Sequence, residues 1–248
     1  MHAMPQLIYS DENLLAVNKP SGWLSIPDRH DAELPSVRKW LEGKGEKIFI
    51  VHRIDKDTSG LMLLARNEVS HKYYNGLFQQ RNLEKHYFGL VSGVFSEDAG
   101  VYDQPIEEHP VIPGKMRVGR KGKAAITHYR VLERFRGYSW VAFQIETGRT
   151  HQIRVHLQNA GHSLVCDPIY GTADPVLLSS FKKKFNLSKK EEEERPMLSR
   201  LALHASRVAL TNLHGEALSV EAPLAKDLEA TLKQLRKWGG GSKTNLTP

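Results

Sequence analysis

The expected class is an α+β fold, which three observations of the sequence permit. Short apolar runs at residues 7–9 and 14–17 flank Ser-Asp-Glu-Asn, a composition that suits a tight turn between paired strands. Apolar residues recur at helical spacing in residues 36–42, 69–80, 150–160 and 225–238. Among these lie runs of strand character at residues 85–91, 125–132, 139–145 and 201–210. The periodicities permit the class without fixing the layout of its sheet.

Each element has its own signal. Asn18-Lys19-Pro20-Ser21-Gly22 breaks the second apolar run, because proline fixes its backbone angle and offers no ladder donor. Ser36 is suited to cap a short helix carrying Val37, Trp40 and Leu41. In residues 69–80, Tyr73, Tyr74, Leu77 and Phe78 read as core aromatics and aliphatics of a helix. Residues 150–160 have Ile153, Leu157 and Ala160 as a buried stripe and Gly161 as a stop. Leu228, Leu232 and Leu235 form the apolar face of the last helix, and the glycine-rich residues 239–248 read as a flexible tail. One domain over residues 1–238 is expected, with a charged surface insertion at about 182–195.

Composition narrows the function classes. The 248 residues are 40% hydrophobic and 25% charged, the balance of a globular protein rather than a disordered chain. Thirty-five Lys and Arg against 28 Asp and Glu give a net charge of +7, which makes a polyanion a sensible first partner. The single cysteine, Cys166, cannot form an internal disulfide and belongs to no C-x-x-C pair. No apolar run reaches the roughly 18 to 20 residues that span a bilayer, and a basic segment leading into a long apolar stretch is absent from the start. A cytoplasmic, monomeric protein with no membrane contact is expected.

Three polar segments carry the chemistry. HRIDKDTSG, residues 52–60, puts five ionisable side chains between two apolar runs, where a sheet can fix position and a loop can leave a side chain accessible. Asp57 can cap its own turn through local backbone bonds, whereas Asp55 has no such local task. GRTHQIRVH, residues 148–156, supplies Arg149, His151, Arg154 and His156 at the head of a helix; it reads as an anion site or, slightly preferred, as an ordinary charged surface helix. KMRVGRKGK, residues 115–123, has five cations and two glycines; a solvated turn and a flexible phosphate-contacting flap are equally good readings. No H-E-x-x-H, G-x-S-x-G, Walker or G-x-G-x-x-G pattern is present, which speaks against a zinc site, a serine hydrolase and a nucleotide cofactor.

HRIDKDTSGLMLLAR, EKHYFGLVSG and ETGRTHQIRVHLQNAGHSLVCDPIYG, with NKPSGW before them and RLALHASRVAL after, resemble the RluA-type RNA pseudouridine synthases in order and spacing. The resemblance runs from about residue 7 to 235. It implies a long mixed, mostly antiparallel sheet with flanking helices and a central active-site cleft. It also implies isomerisation of uridine to pseudouridine in structured RNA, tRNA or rRNA, with the target nucleotide flipped out and with no cofactor or metal. The family's essential aspartate falls on Asp55, its active-site tyrosine on Tyr87 and the basic partner of the aspartate on Arg154. Arg53 matches an arginine that fills the space vacated by the flipped nucleotide; His52, Thr58, Arg149, His151 and Gln152 are the expected RNA contacts around it, with Lys115, Arg117, Arg120 and Lys121 on the basic flap.

These assignments make chemical sense. Breaking a glycosidic bond to a poor leaving base calls for a nucleophile or a stabiliser of positive charge at the sugar, and an ionised carboxylate supplies both. An arginine can hold such a carboxylate in a bidentate contact better than a lysine can. An aromatic ring gives a flipped base a face to stack on, worth roughly 1 to 3 kcal/mol. Asp55 is therefore expected opposite Arg154 and Tyr87, with basic loops at the rims. Many relatives carry an accessory RNA-binding domain ahead of the catalytic one, whereas here the sheet is expected by residue 7, so the basic flap is expected to share in capturing the target.

Overall fold

The computed structural model describes residues 3–31, 33–187 and 193–243. In chain order the elements are β1 (Gln6–Ser10), β2 (Leu14–Lys19), α1 (Val37–Glu42), β3 (Phe49–Ile50), β4 (Ser59–Ala65), α2 (Glu68–Gln80) and β5 (Glu84–Ser92). There follow β6 (Ala99–Tyr102), β7 (Ile106–Glu108), β8 (Met116–Val118), β9 (Thr127–Phe135), β10 (Tyr138–Ile145), α3 (Gln152–Asn159) and β11 (Ser163–Leu164). Last come β12 (Leu203–Thr211), β13 (Ala217–Glu221), α4 (Lys226–Trp238) and β14 (Ser242–Lys243). This is an α+β fold with a mixed, mostly antiparallel sheet and a few flanking helices, as expected.

The chain divides into two compact units, residues 1–87 with 204–224 and residues 88–203 with 225–248, so β5 and β12 each run from one unit into the other. In the first unit β1 pairs with β2 and β2 with β4, all antiparallel, which is the hairpin legible at the start of the sequence. The β4–β12 pair is parallel, His204 lying opposite Ser59 and Ala205 opposite Gly60. Gly60 has φ +110°, and a Cβ there would run into the Ala205 backbone, so only glycine lets the two strands meet directly after the HRIDKDTSG loop. Every residue of β4 is buried, and its two faces feed two apolar clusters, one with Leu61, Leu63, Val51, Ile54 and Tyr74, the other with Met62, Leu64, Val37 and Leu41.

The helices of this unit start where their caps dictate. The Ser36 side chain accepts the Lys39 N–H at the head of α1, and Asn67 with Ser70 forms a reciprocal capping box on α2. Tyr74 is fully buried in α2, while Tyr73, Leu77 and Phe78 pack half-buried on the same cluster.

In the second unit β9 pairs antiparallel with β10, β6 and β14. Leu228, Leu232 and Leu235 of α4 are buried as their spacing predicts, and Arg236 forks onto Glu133 of β9 at 2.6–3.1 Å. The expectation of a flexible tail from residue 239 needs correction over its first part: Ser242 and Lys243 pair with Arg134 and Glu133, because the β9 backbone offers them a ladder. Residues 244–248 lie outside the described residues, as do residues 188–192 of the expected charged insertion. Residues 182–187 form no helix, and Lys182 sets its ammonium 5.1 Å from the Trp238 ring.

KMRVGRKGK is part strand and part turn. Residues 116–118 are β8, which pairs with β7 in a separate two-stranded hairpin, Ile106 opposite Val118 and Glu108 opposite Met116. Ile106, Met116 and Val118 pack with Ala125, Val155 and Tyr170, which roots the hairpin in the unit's core. The high charge hid an alternation in which Met116 and Val118 face inward and Arg117 outward. Among the described residues no helix is long and apolar enough to cross a membrane.

Candidate active site

The loop that carries Asp55 is clamped from one side by the NKPSGW segment. Lys19, completely buried, donates from Nζ to the carbonyls of Lys56 (2.8 Å), Trp23 (2.7 Å) and Pro20 (3.1 Å). The Gly22 N–H reaches the same Lys56 carbonyl at 2.9 Å, and Ser21 Oγ donates to the Asp57 carbonyl at 2.7 Å. Ser25 Oγ both donates to the Ile54 carbonyl (2.8 Å) and accepts the Ile54 N–H (3.2 Å). The Thr58 N–H closes the turn on the Asp55 carbonyl at 3.1 Å. Main-chain atoms on both sides of Asp55 are thus pinned, while Ile54 is buried in the core. Asp55 itself is half-buried. The main chain that carries this acidic side chain is thus held in place by its neighbours.

Tyr87, on β5, packs half-buried against the same cluster as Ile54. Burial pushes its phenol well above the usual tyrosine range, and the Asp55 carboxylate pushes it further in the same direction. Within the first unit, therefore, the ring and the carboxylate share an electrostatic environment, and Tyr87 keeps its proton at any physiological pH.

Arg154 departs from the surface-helix reading. All of Gln152–Leu157 in α3 is buried, Arg154 to 2% exposure, because each polar side chain there has an internal partner. Arg154 forks onto Asp167, Nε to Oδ2 and Nη2 to Oδ1, both at 2.8 Å, and Asp167 is wholly buried. Burial alone would raise the Asp167 pKa; the bonds and charge from Arg154, with the N–H groups of Ile169 and Tyr170, outweigh this and hold the carboxyl below its usual range. His156 bonds Thr127 Oγ1 and the Gln104 carbonyl, each at 2.9 Å, and burial lowers its pKa.

Several expected RNA contacts have other tasks. Gln152 is a correction: Oε1 accepts from Thr147 Oγ1 (2.6 Å) and the Arg149 N–H (3.0 Å), and Nε2 donates to the Ile126 carbonyl and Thr127 Oγ1, so its amide is spent inside the protein. Thr58 is 2% exposed, which leaves little of it for RNA. His52 accepts the Leu63 N–H at Nε2 (2.8 Å) and stacks on Phe78 with ring centroids 4.5 Å apart, so it ties the loop to β4 as a neutral imidazole. Arg117 is already matched by Glu107, bonding Oε1 through Nε (3.0 Å) and Nη2 (2.7 Å). Arg53, Arg120 and Lys121 are exposed, and Arg149, His151 and Lys115 half-exposed.

The His52 geometry has a measurable consequence. Burial, reinforced by Lys85, depresses its pKa to about 3, against about 6.5 unfolded. The stability this contributes is complete above pH 6.5 and falls as the pH drops toward 3, because the unfolded chain takes up a proton that the folded one refuses. The slope is about 1.4 kcal/mol per pH unit. Urea unfolding at pH 7.5 and pH 5 should show wild type losing roughly 2 kcal/mol more than His52→Gln; equal losses would mean His52 titrates normally in the fold.

A family model described as RNA pseudouridylate synthase matches residues 13–159, which include the clamp, the Asp55 loop, Tyr87 and Arg154. The chain belongs to the RNA pseudouridylate synthase family. It is thereby an enzyme of the isomerase class. Among curated relatives of this synthase, ribosomal large subunit pseudouridine synthase D of Nitrosomonas europaea is 36% identical over 237 residues, 93% of this chain and 65% of that protein. The protein of the same description from Pseudomonas aeruginosa is 35% identical, over 94% of this chain and 72% of the relative. The chain thus spans about two thirds of these relatives' length. The solved structure of human RNA pseudouridylate synthase domain containing 4 superposes with a TM-score of 0.68 at 29% identity, covering 93% of this synthase and 92% of that chain.

Two residues of the synthase escaped the sequence reading. The proline and glycine beside Lys19 suffice to explain its turn, yet its ammonium clamps the Asp55 loop. Asp167 stands in CDPIYG, inside a matching segment, and the signal that points to it is a buried arginine's need for a carboxylate.

Proposed function

We propose that this synthase converts uridine to pseudouridine in ribosomal RNA of the large subunit, without cofactor or metal, through Asp55 acting at the ribose. What carries the reading is Asp55, with its main chain fixed by bonds on either side and its carboxylate electrostatically coupled to a half-buried, protonated Tyr87. The choice of ribosomal over transfer RNA rests on the relatives named as large-subunit synthases.

The reaction is an isomerisation, so its atoms balance internally. The N1–C1′ bond breaks as the Asp55 carboxylate supports the developing positive charge at C1′; uracil turns, C5 bonds to C1′, the C5 hydrogen leaves as a proton and N1 gains one. Arg154 is the basic member of the catalytic set. Tyr87 stacks on the uracil while it is out of the helix, which offsets part of the few kcal/mol that extrusion costs. Arg53 fills the gap left in the RNA, and Arg149, His151 and the β7–β8 hairpin meet phosphates. Residues 1–238 act as one catalytic domain.

Mapping pseudouridine in cellular RNA with and without this protein tests the reading. Loss of particular large-subunit rRNA sites is the expected result; loss confined to tRNA would move the substrate, and no loss would refute the activity. For the hairpin, replacing Arg120 and Lys121 by alanine should lower the salt slope of RNA binding by about 0.7 to 0.9 per phosphate contact removed. Arg117→Ala should change it much less, because Glu107 already neutralises that charge. An unchanged slope in Arg120→Ala/Lys121→Ala would remove the hairpin from the RNA interface.

A further inference from the structure

The sequence Asp167-Pro168-Ile169-Tyr170-Gly171 is a closed turn, its Gly171 N–H bonded to the Asp167 carbonyl at 3.2 Å. Two of its side chains converge on one guanidinium. Asp167 takes the Nε and Nη2 edge of Arg154, and the Tyr170 ring lies under the guanidinium, 5.0 Å from centroid to Cζ. The carboxylate is immobile in its own right. Oδ1 also accepts the N–H groups of Ile169 (2.9 Å) and Tyr170 (3.0 Å), so the turn's backbone sets its direction. The ring is fixed as well: Tyr170 is 3% exposed, its hydroxyl accepts the Met116 N–H at 2.8 Å, and it meets His151 Nδ1 at 2.8 Å.

Arginine's long side chain normally samples many rotamers, and burying its charge is costly unless a partner is built for it. Here one edge and one face are each taken by a rigid group, which fixes where the rest of the guanidinium points. The arrangement exceeds what packing needs. An apolar pair of similar volume would fill the same space at no electrostatic cost.

We propose that Asp167 and Tyr170 are positioning residues, which hold the Arg154 guanidinium in one orientation for the reaction; the proposal rests on the reading that Arg154 belongs to the catalytic set. Neither residue touches RNA. The effect of Asp167 is on turnover, through Arg154; Tyr170 acts on Arg154 through its ring and on the hairpin and His151 through its hydroxyl. The Met116 bond makes the turn the meeting point of the β7–β8 hairpin and Arg154, so the same ring that supports the guanidinium also anchors the basic hairpin.

The test is a kinetic double-mutant cycle on the full chain with large-subunit rRNA, run well below each variant's melting temperature. Asp167→Asn keeps the shape and an oxygen for the two backbone N–H groups but loses the charge and half the fork. It should lower kcat by about 100-fold, the penalty of a misplaced catalytic group, with KM changed less than about threefold. In an Arg154→Lys background the same substitution should cost under about threefold more, because the group it aims is already gone. Tyr170→Leu, which keeps Asp167, should lower kcat about 10-fold with the same loss of effect on Arg154→Lys, and it serves if Asp167→Asn does not fold. Folded single variants with wild-type kcat, or costs that multiply in full on Arg154→Lys, would overturn the proposal. If Arg154→Lys alone keeps wild-type kcat, it is the role of Arg154 that fails.

Discussion

Asp55→Asn should reduce kcat for pseudouridine formation by at least about 10⁴-fold, the scale of losing a group that acts directly on the reacting bond. The amide has the shape of the acid but cannot support positive charge at C1′ or attack it. The bonds that clamp the loop reach main-chain atoms of residues 54, 56 and 57 and the Asp55 carbonyl, so they survive the substitution. RNA affinity, measured by filter binding at fixed salt, should therefore stay within about threefold of wild type, since phosphate contacts dominate it. A variant that lost binding and turnover together would make Asp55 a docking residue. One that lost neither would leave the reaction without its carboxylate.

Arg154→Leu should destabilise the fold by about 3 to 5 kcal/mol, because it strands Asp167, wholly buried and ionised, without its counter-charge. For a chain of this size each kcal/mol is worth roughly 2 to 4 °C, so the melting temperature should fall by about 6 to 20 °C. The double variant Arg154→Leu/Asp167→Leu removes both charges and should recover a large part of the loss. Thermal unfolding followed by circular dichroism measures all three. A melting temperature within about 2 °C of wild type for Arg154→Leu would mean that the pair is open to water and weak.

What could be read from the sequence was whatever a local pattern determines. The first hairpin, the Ser36 cap, α2 and the leucine face of α4 follow from turn composition, capping and 3.6-residue spacing, and all stand where expected. The Asp55 loop was visible as charge between two apolar runs. Features set by distant partners were not. Arg154 sat on what looked like a polar face, and only a carboxylate 13 residues further on makes its burial possible. Lys19 gave no sign that its ammonium would bond a carbonyl 37 residues away. The β8 strand was hidden because its inward residues, Met116 and Val118, are two among many cations, and the pairing of Ser242 depends on the β9 backbone over a hundred residues earlier.

The most direct measurement uses the purified chain, large-subunit rRNA labelled with tritium at uridine C5, a chelator and no added cofactor. Forming the C5–C1′ bond expels the C5 hydrogen, so tritium in water counts isomerisation events. Wild type should release tritium in proportion to the pseudouridine mapped at a small set of sites, and Asp55→Asn should release none while still binding the RNA. Release by Asp55→Asn at the wild-type rate, or none from the wild-type protein, would contradict the account.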